Sequence, residues 1–281
     1  MRGLLRRLRR DRMAMLGLGL LTCLILIALL APYIAPYPED VWEFHVELRL
    51  SPPSTDTLLG TDRMGGDILS RVIFGARLSL LLSGISVGVA LVIGGSLGLV
   101  AGFYRNWISD GLMRIADVFL AVPQILLAIA IVQILGPAIE NVVLALSLTY
   151  WPFWARLVYA QTRSISNEVF VEAAMALGVP AWRVMLLHIL PNIASPIIVR
   201  TSIGLGGTVL AVATLGFLGL GAPPPTPEWG SMVAESRAYF PDAWWYTLTP
   251  GLAIFLTVLG FNLVGDGLRD ALDVHMRRGV D

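Results

Sequence analysis

The chain has 281 residues, of which 56% are hydrophobic and 14% are charged. A chain of this length that is so apolar and so poor in charge is not a water-soluble protein, so its composition indicates a membrane protein. The 20 basic and 20 acidic residues balance, and every basic residue is arginine. The absence of lysine excludes ATP hydrolysis by this chain, because a phosphate-binding loop needs a lysine that reaches the terminal phosphates.

Long apolar runs predict six membrane-spanning helices, since a helix needs about 20 apolar residues to cross the hydrocarbon core of a bilayer. Five runs are free of charge, and the fourth in order contains Arg156 near its end but continues to Gln161. The predicted spans cover residues 13–38, 78–104, 118–139, 141–161, 201–227 and 243–265. The expected fold class is an all-α polytopic membrane protein with both termini on one side.

The arginines predict which side carries the termini. Six of them precede the first span, and the alternation of spans places 15 arginines on one side against 5 on the other. By the positive-inside rule both termini are cytoplasmic. No small-x-small cleavage site follows the first span, so we expect an uncleaved anchor. The arginine tail is expected to attract anionic lipid rather than nucleic acid.

The outer segment between the first two spans, residues 37–77, changes character along its length. It is rich in proline at first and then reads "LLGTDRMGGDILSRVIFGARLSL", in which charged and apolar residues alternate at helical spacing. This pattern predicts a short amphipathic helix at the outer membrane interface. Such a helix either seals the second span or contacts an outer partner, and the sequence leaves both open.

The second span is rich in glycine. Gly-x-x-x-Gly pairs allow another helix to approach closely, and in lipid such packing drives helix association. We therefore predict a helix seam on this span, with a partner helix in this chain or in another. The seam residues are Gly84, Gly88, Gly95, Gly98 and Gly102.

The polar stretch between spans four and five, residues 167–192, is predicted to form two short helices on the cytoplasmic side. Asn167 is suited to cap the first helix, and Gly178 stands where a left-handed turn would end it. Pro180 suits the first turn of a second helix, which should end before Pro191. Such a helix either inserts into a groove on a soluble partner or lies on the lipid as a linker, and periodicity favours neither.

Four motifs resemble a known family. Glu-Ala-Ala at 172–174, then three residues, Gly178 and "HILPN" at 188–192 are similar to the EAA signature of inner-membrane permease subunits of bacterial ATP-binding-cassette importers. Three further stretches resemble the dipeptide, oligopeptide and nickel branch, and within it the second permease subunit. These stretches are residues 59–80, 227–237 and 244–273.

The resemblance implies a type I, MetI-like importer fold, in which this chain and a homologous second permease form the pathway for di- or oligopeptides. Two cytoplasmic ABC ATPases would bind ATP and Mg, so this chain would hold no cofactor, and an extracytoplasmic solute-binding protein would deliver cargo. Nickel, glutathione or an oligosaccharide is the alternative cargo. The residues implied to couple the ATPases to the pathway, without catalysing anything, are Glu172, Ala173, Ala174, Gly178, His188 and Pro191.

The sequence departs from the family at two places. Many family loops have an aliphatic residue where His188 stands, and Gly65-Gly66 stands where relatives often have glycine followed by arginine. The expected organisation is a tail at 1–15, a first transmembrane helix at 16–36, a periplasmic segment at 37–77, a five-helix transmembrane domain at 78–268 and a tail at 269–281.

Two other classes of function fit the residues poorly. The segment around Ser96 matches the G-x-S-x-G pattern of serine hydrolases, but the three histidines lie outside the predicted spans and cannot serve as its base. An ion-coupled carrier usually has carboxylates within the bilayer, and none is predicted at mid-span.

A metal site is not expected, because the histidines are far apart and Cys23 is the single cysteine. Two arginines, Arg156 and Arg200, adjoin apolar spans on the predicted inner side. They either snorkel to lipid phosphates or line the inner mouth of the pathway, and the sequence leaves both possibilities open.

Overall fold

The computed structural model describes residue 8 and residues 10–39, 41–43 and 45–277. Four arginines of the predicted tail, at positions 2, 6, 7 and 9, lie outside the described residues, as do residues 278–281. The described chain is helical, with short 3-10 turns between some helices. The helices are α1 Arg12–Ile34, α2 Ile68–Tyr104, α3 Trp107–Ala121, α4 Gln124–Leu135, α5 Ile139–Ile165, α6 Val169–Ala176, α7 Ala181–Phe217, α8 Trp229–Ser236 and α9 Trp244–Arg277.

Five of these helices, α1, α2, α5, α7 and α9, are long and apolar enough to cross a membrane. The all-helical, multi-span fold class is thus confirmed, and the third predicted span, residues 118–139, falls on a bent pair of helices rather than on one continuous helix. Helices α3 and α4 meet at 89°, so they count as a sixth span only as a broken pair. The break lies at Val122 and Pro123, because proline lacks a backbone N–H and drives the residue before it out of the helical region.

Helix α2 corrects the prediction of a separate amphipathic helix in the outer segment. Residues 68–77 form the first turns of α2, which continues without interruption into the second span. Asp67 caps this long helix, because its Oδ2 accepts hydrogen bonds from the backbone N and the Oγ of Ser70 at 2.8 Å and 2.7 Å. With 37 residues, α2 is about 55 Å long and exceeds the hydrocarbon thickness of about 30 Å.

Helix α2 packs against α5 along three glycines spaced four residues apart. A Cβ atom at Gly94 or Gly98 would collide with the backbone of α5, and one at Gly102 would lie 2.8 Å from the Cβ of Thr162. Only glycine allows the two backbones to approach this closely. The predicted seam therefore forms within the chain at Gly98 and Gly102.

The rest of the predicted seam is placed differently. An added Cβ at Gly84 or Gly88 meets no atom within 4 Å, and one at Gly95 makes only ordinary contacts at 3.7 Å and 3.9 Å. The prediction put all five glycines on one stripe. Ten residues advance a helix by about 1,000°, so Gly88 and Gly98 point in directions about 80° apart.

Helix α9 packs between α1 and α7. A Cβ atom at Gly17 of α1 would lie 2.9 Å from the carbonyl oxygen of Gly260, and one at Gly206 of α7 would lie 3.2 Å from the Cβ of Phe261. The bundle is therefore held by small-residue contacts on both sides of α9 as well as along α2.

The predicted fifth span extends beyond the end of the helix that forms and misses the beginning of that helix. Helix α7 ends at Phe217, Gly219 adopts a left-handed φ of +75°, and the prolines that follow cannot continue the helix. The chain folds back into α8, which packs against α2, α7 and α9. Trp229 at the start of α8 is buried, and its Nε1 donates to the carbonyl of Val72 at 3.0 Å.

Glu228 is a buried carboxyl group that caps α8. Its Oε1 accepts a hydrogen bond from the backbone N of Gly230 at 2.9 Å and from the Oγ of Ser79 of α2 at 3.4 Å, and its Oε2 accepts one from the N of Ser231 at 2.9 Å. Burial raises the pKa of Glu228, and these three hydrogen bonds oppose the rise. One side chain thus joins α8 to the second span.

The outer segment is tied to the bundle by ion pairs. Arg71 of α2 and Asp62 are both buried, with Nε and Oδ2 3.1 Å apart, and Arg63 pairs with Glu235 of α8 at 3.3 Å. Gly65, which directly precedes the departing residue Gly66, has a φ of +83°, and the carbonyl of residue 45 occupies the place where a Cβ would stand. Glycine is therefore required at that position.

Candidate coupling site and interior cavities

Helix α6 begins one residue later than predicted. The N-cap residue of α6 is Glu168, whose side chain makes no capping hydrogen bond. Asn167 does not cap the helix, because its Oδ1 accepts from the Nη2 of Arg105 at 2.6 Å and its Nδ2 donates to the carbonyl of Arg163 at 3.2 Å. These bonds tie the start of α6 to the ends of α2 and α5.

The end of α6 is a glycine-dependent turn. Gly178 has a φ of +78°, as predicted. Its N–H donates to the carbonyl of Met175 at 3.0 Å, and the N–H of Val179 donates to the carbonyl of Ala174 at 3.1 Å. These two bonds form a Schellman motif, which satisfies the last carbonyls of the helix and fixes the direction in which the chain leaves it. The bend between α6 and α7 thus depends on one glycine.

Helix α7 does not end before Pro191, so that prediction is wrong. It runs from Ala181 to Phe217, and Val184–Ile189 form a π-helical turn in which the N–H of Leu190 bonds to the carbonyl of Met185, five residues back. Proline has no N–H, and in a regular α-helix its ring would collide with the carbonyl four residues earlier. The wider turn lets the helix pass through the proline.

The α6–α7 pair buries one face and exposes another. Val171 and Ala174 are buried against Val184 and Ile189 of α7. The other side carries apolar residues that the described chain leaves uncovered. These are Val169, Met175, Leu177 and Trp182, which are 78%, 53%, 85% and 55% exposed. These exposed apolar side chains are candidates for a contact with another protein or with lipid.

The residues implied by the EAA resemblance fall into three groups. The exposed ones are Glu172, Ala173, Gly178 and Pro191. Ala174 is 7% exposed and packs inside the pair, so it supports α6 from within rather than offering a docking surface. His188 is half-buried in the π-helical turn, and its Nδ1 has no hydrogen-bond partner within the described chain.

The two arginines predicted at the inner mouth of the pathway have different surroundings. Arg156 pairs with Asp117 of α3, with its Nε donating to Oδ1 at 2.7 Å and its Nη2 contacting Oδ2. The guanidinium of Arg200 lies over the ring of Phe153, 4.6 Å from the ring centroid. None of the ion pairs formed by the described residues includes Arg200.

Arg200 lies between two cavities. Cavity A, of about 250 Å³, is bounded by α2, α4, α5 and α7, and cavity B, of about 270 Å³, by α5, α7 and α9. Arg200 lines both cavities, whereas Arg156 lines neither. Among the described residues, no Asp or Glu lines either cavity. The walls of cavity A include Gln124, Tyr150, Trp154, Gly207 and Thr208, and those of cavity B include Ser195 and Arg269.

Comparison with known proteins identifies the family. Residues 68–278, well over half of the chain, match the family described as "Binding-protein-dependent transport system inner membrane component". The chain belongs to this permease family. Residues 1–53 of the permease also match "N-terminal TM domain of oligopeptide transport permease C".

Curated relatives align with nearly all of this permease. It is 46% identical to the dipeptide transport system permease protein DppC of Alkalihalophilus pseudofirmus, over 97% of this chain and 89% of that protein. It is 45% identical to the di/tripeptide transport system permease protein DppC of Pseudomonas aeruginosa, over 96% and 90%. It is 43% identical to the glutathione transport system permease protein GsiD of Pectobacterium atrosepticum, over 97% and 90%.

A solved structure shares the fold of this permease. A chain of the MetNI methionine ABC transporter, in an inward-facing conformation, superposes with a TM-score of 0.60 at 19% identity, covering 72% of this chain and 96% of that one. A second crystal form of MetNI gives a TM-score of 0.57 at 21% identity, covering 71% and 95%. The MetI-like fold is therefore confirmed.

Sequence reasoning missed the aromatic wall of cavity A. Tyr150, Phe153 and Trp154 line it from α5. The signal was the segment "TYWPFW" at 149–154, which has four aromatic residues within two turns of a helix. The ion pair of Arg156 with Asp117 was also missed, because its partners are 39 residues apart in sequence.

Proposed function

We propose that this permease imports di- or oligopeptides as one of two membrane subunits of an ATP-binding-cassette importer. The observation that carries the proposal is the bent α6–Gly178–α7 pair. It lies at one end of the bundle and presents an uncovered apolar surface beside Glu172 and Ala173. Such a surface fits a groove on a soluble ATPase better than a passive linker, because the Schellman turn holds α6 at a fixed angle.

The force path follows from the continuity of α7. Val171 and Ala174 of α6 pack on the start of α7, which then runs unbroken past Arg200. From Val184 to Arg200 is about 24 Å along the helix axis. A displacement of α6 by an ATPase is thereby delivered to the walls of both cavities. Gly178, Ala174, His188 and Pro191 transmit this movement, and Glu172 and Ala173 contact the ATPase.

The partners proposed are a homologous second permease, two cytoplasmic ABC ATPases and an extracytoplasmic solute-binding protein. ATP and Mg bind to the ATPases, and this chain performs no hydrolysis of its own. Both termini, α6 and the start of α7 lie in the cytoplasm, as the excess of arginine on that side favours. Arg200 then lines the pathway near its cytoplasmic half, whereas Arg156 braces α5 against α3.

Peptides are the proposed cargo because curated relatives at 45% and 46% identity are named as di/tripeptide and dipeptide permeases. Glutathione, itself a peptide, is the cargo named for a relative at 43% identity. Nickel and oligosaccharides are the alternatives within the same architecture. An intramembrane serine protease remains disfavoured, because the only hydrogen bond that Ser96 Oγ makes among the described residues goes to the carbonyl of Ile93.

The test is reconstitution of the four kinds of subunit in liposomes with ATP. Uptake of a radiolabelled dipeptide is expected, without uptake of Ni²⁺ or a maltooligosaccharide. The permease purified alone should hydrolyse no ATP above the background of an inactive preparation. ATP hydrolysis by the permease alone, or uptake of Ni²⁺ in place of the dipeptide, would overturn the proposal.

A further inference from the structure

Cavity A contains an unusual combination of charge and aromatic surface. Arg200 brings a permanent positive charge to a wall otherwise formed by apolar and uncharged polar side chains. Arg200 is exposed, and no Asp or Glu of the described chain lines the cavity, so its guanidinium is available to an anionic ligand. The guanidinium carbon of Arg200 lies 4.6 Å from the centroid of the Phe153 ring, which forms a cation–π contact with it.

Arg156 provides an internal comparison. It lies on the same helix as Phe153, and Asp117 engages it through two oxygens. Arg156 is therefore already occupied by a carboxylate in the arrangement that suits a guanidinium best. Arg200 carries the same guanidinium group, but no carboxylate of the described chain pairs with it, so its N–H donors are available to a ligand.

The size of cavity A limits what can bind there. Its volume of about 250 Å³ lies below the roughly 300–1,000 Å³ of sites that enclose a whole drug-sized ligand. The cavity therefore fits one end of a peptide rather than an entire oligopeptide. Cavity B adjoins it through the shared Arg200, so a ligand held by this side chain has space on both sides.

We propose that Arg200 binds the C-terminal carboxylate of the peptide during its passage through the permease. The inference rests on the proposed peptide cargo and adds a site to it. Every unmodified peptide ends in a carboxylate, whatever its sequence, and a guanidinium binds a carboxylate through two parallel hydrogen bonds. Gln124, Tyr150 and Thr208 offer further hydrogen bonds, and Trp154 offers an apolar surface for the terminal side chain.

The direct test uses the wild-type importer in nanodiscs and the photoreactive dipeptide alanyl-p-benzoylphenylalanine. Labelling is expected on α5 and α7 around cavity A, mapped by mass spectrometry. Alanyl-alanine should compete with the label at least about tenfold better than its C-terminal amide, since a charge-assisted hydrogen bond contributes at least that factor. Equal competition by the acid and the amide overturns the proposal, as does labelling elsewhere.

Variants supply an independent test. Arg200→Gln should lower labelling and raise the KM for dipeptide uptake at least about tenfold, and Arg200→Lys should restore part of the loss. The matched control is Arg114→Gln, which removes an exposed arginine of α3 that lines neither cavity. Gly207→Leu should block labelling by filling cavity A, because an added Cβ at Gly207 meets no atom within 4 Å.

The remaining outcomes separate this proposal from its competitors. An anionic phospholipid that copurifies with the wild type but not with Arg200→Gln, while peptide labelling stays unchanged, would assign Arg200 to a lipid phosphate and overturn it. Peptide uptake with unaltered KM in Arg200→Gln would overturn the site and leave the peptide importer standing. Failure of the wild-type importer to take up any peptide would overturn both.

Discussion

Substitution of Gly178 by valine should uncouple transport without preventing membrane insertion. The φ of +78° at this position lies in the left-handed region, and a β-branched residue there costs about 1–3 kcal/mol. That penalty shifts the equilibrium of the bend by roughly 5- to 150-fold. It is smaller than the roughly 5–15 kcal/mol that stabilises a typical folded protein, so the chain should still insert and fold.

Gly219 supplies a matched control for this substitution. It has a φ of +75°, an added Cβ there meets nothing within 4 Å, and it ends α7 with the same pair of hydrogen bonds. Gly178→Val and Gly219→Val should therefore lower the melting temperature of the purified complex by similar amounts.

Uptake and ATP hydrolysis by the reconstituted importer would then be measured for both variants. Gly178→Val alone should lower dipeptide uptake per ATP hydrolysed at least about fivefold, the lower limit of the expected shift. If Gly178→Val loses as much stability as Gly219→Val but still takes up dipeptide at the wild-type level, the bend at Gly178 does not transmit force.

Two further predictions concern the bundle. Gly98→Leu should cost about 1–3 kcal/mol in thermal stability by overpacking the α2–α5 contact, whereas Gly84→Leu on the same helix should be neutral, and equal effects would contradict the seam. Burial raises the folded-state pKa of Glu228 above 4.5, so the stability linked to its protonation is present below 4.5 and is lost as pH rises through the raised pKa. As the pH rises through this range, the melting temperature of the wild type should therefore fall more than that of Glu228→Gln. An equal dependence of melting temperature on pH in the two proteins would contradict the raised pKa of Glu228.

Much of the fold could be predicted because hydropathy acts locally. A run of about 20 apolar residues crosses a bilayer in almost any context, which is why five of the six spans correspond to long helices. The left-handed turn at Gly178 was predictable for the same reason, since glycine is the residue that adopts this backbone conformation without strain. Both inferences depend on the residues of one segment alone.

The errors arose where a neighbouring helix decides the outcome. Whether a glycine stripe forms a seam depends on which helix approaches, so Gly84 and Gly98 could not be told apart by spacing of four alone. The burial of Ala174 depends on α7 folding back onto α6. Helix α7 continues past Pro191 because a π-helical turn precedes this proline. No pattern in the sequence predicts such a local widening of the helix.

The contact between α6 and a separate ATPase can be measured by site-specific cross-linking. Cys23, the single cysteine, is exposed and is first replaced by serine. Ala173→Cys then places a thiol on the exposed side of α6, and Gly84→Cys places one at an open position of α2 as the control. In a complex that takes up dipeptide, Ala173→Cys should cross-link to an ATPase subunit and Gly84→Cys should not. A transporting complex in which the thiol at position 173 never captures an ATPase would contradict the proposed coupling.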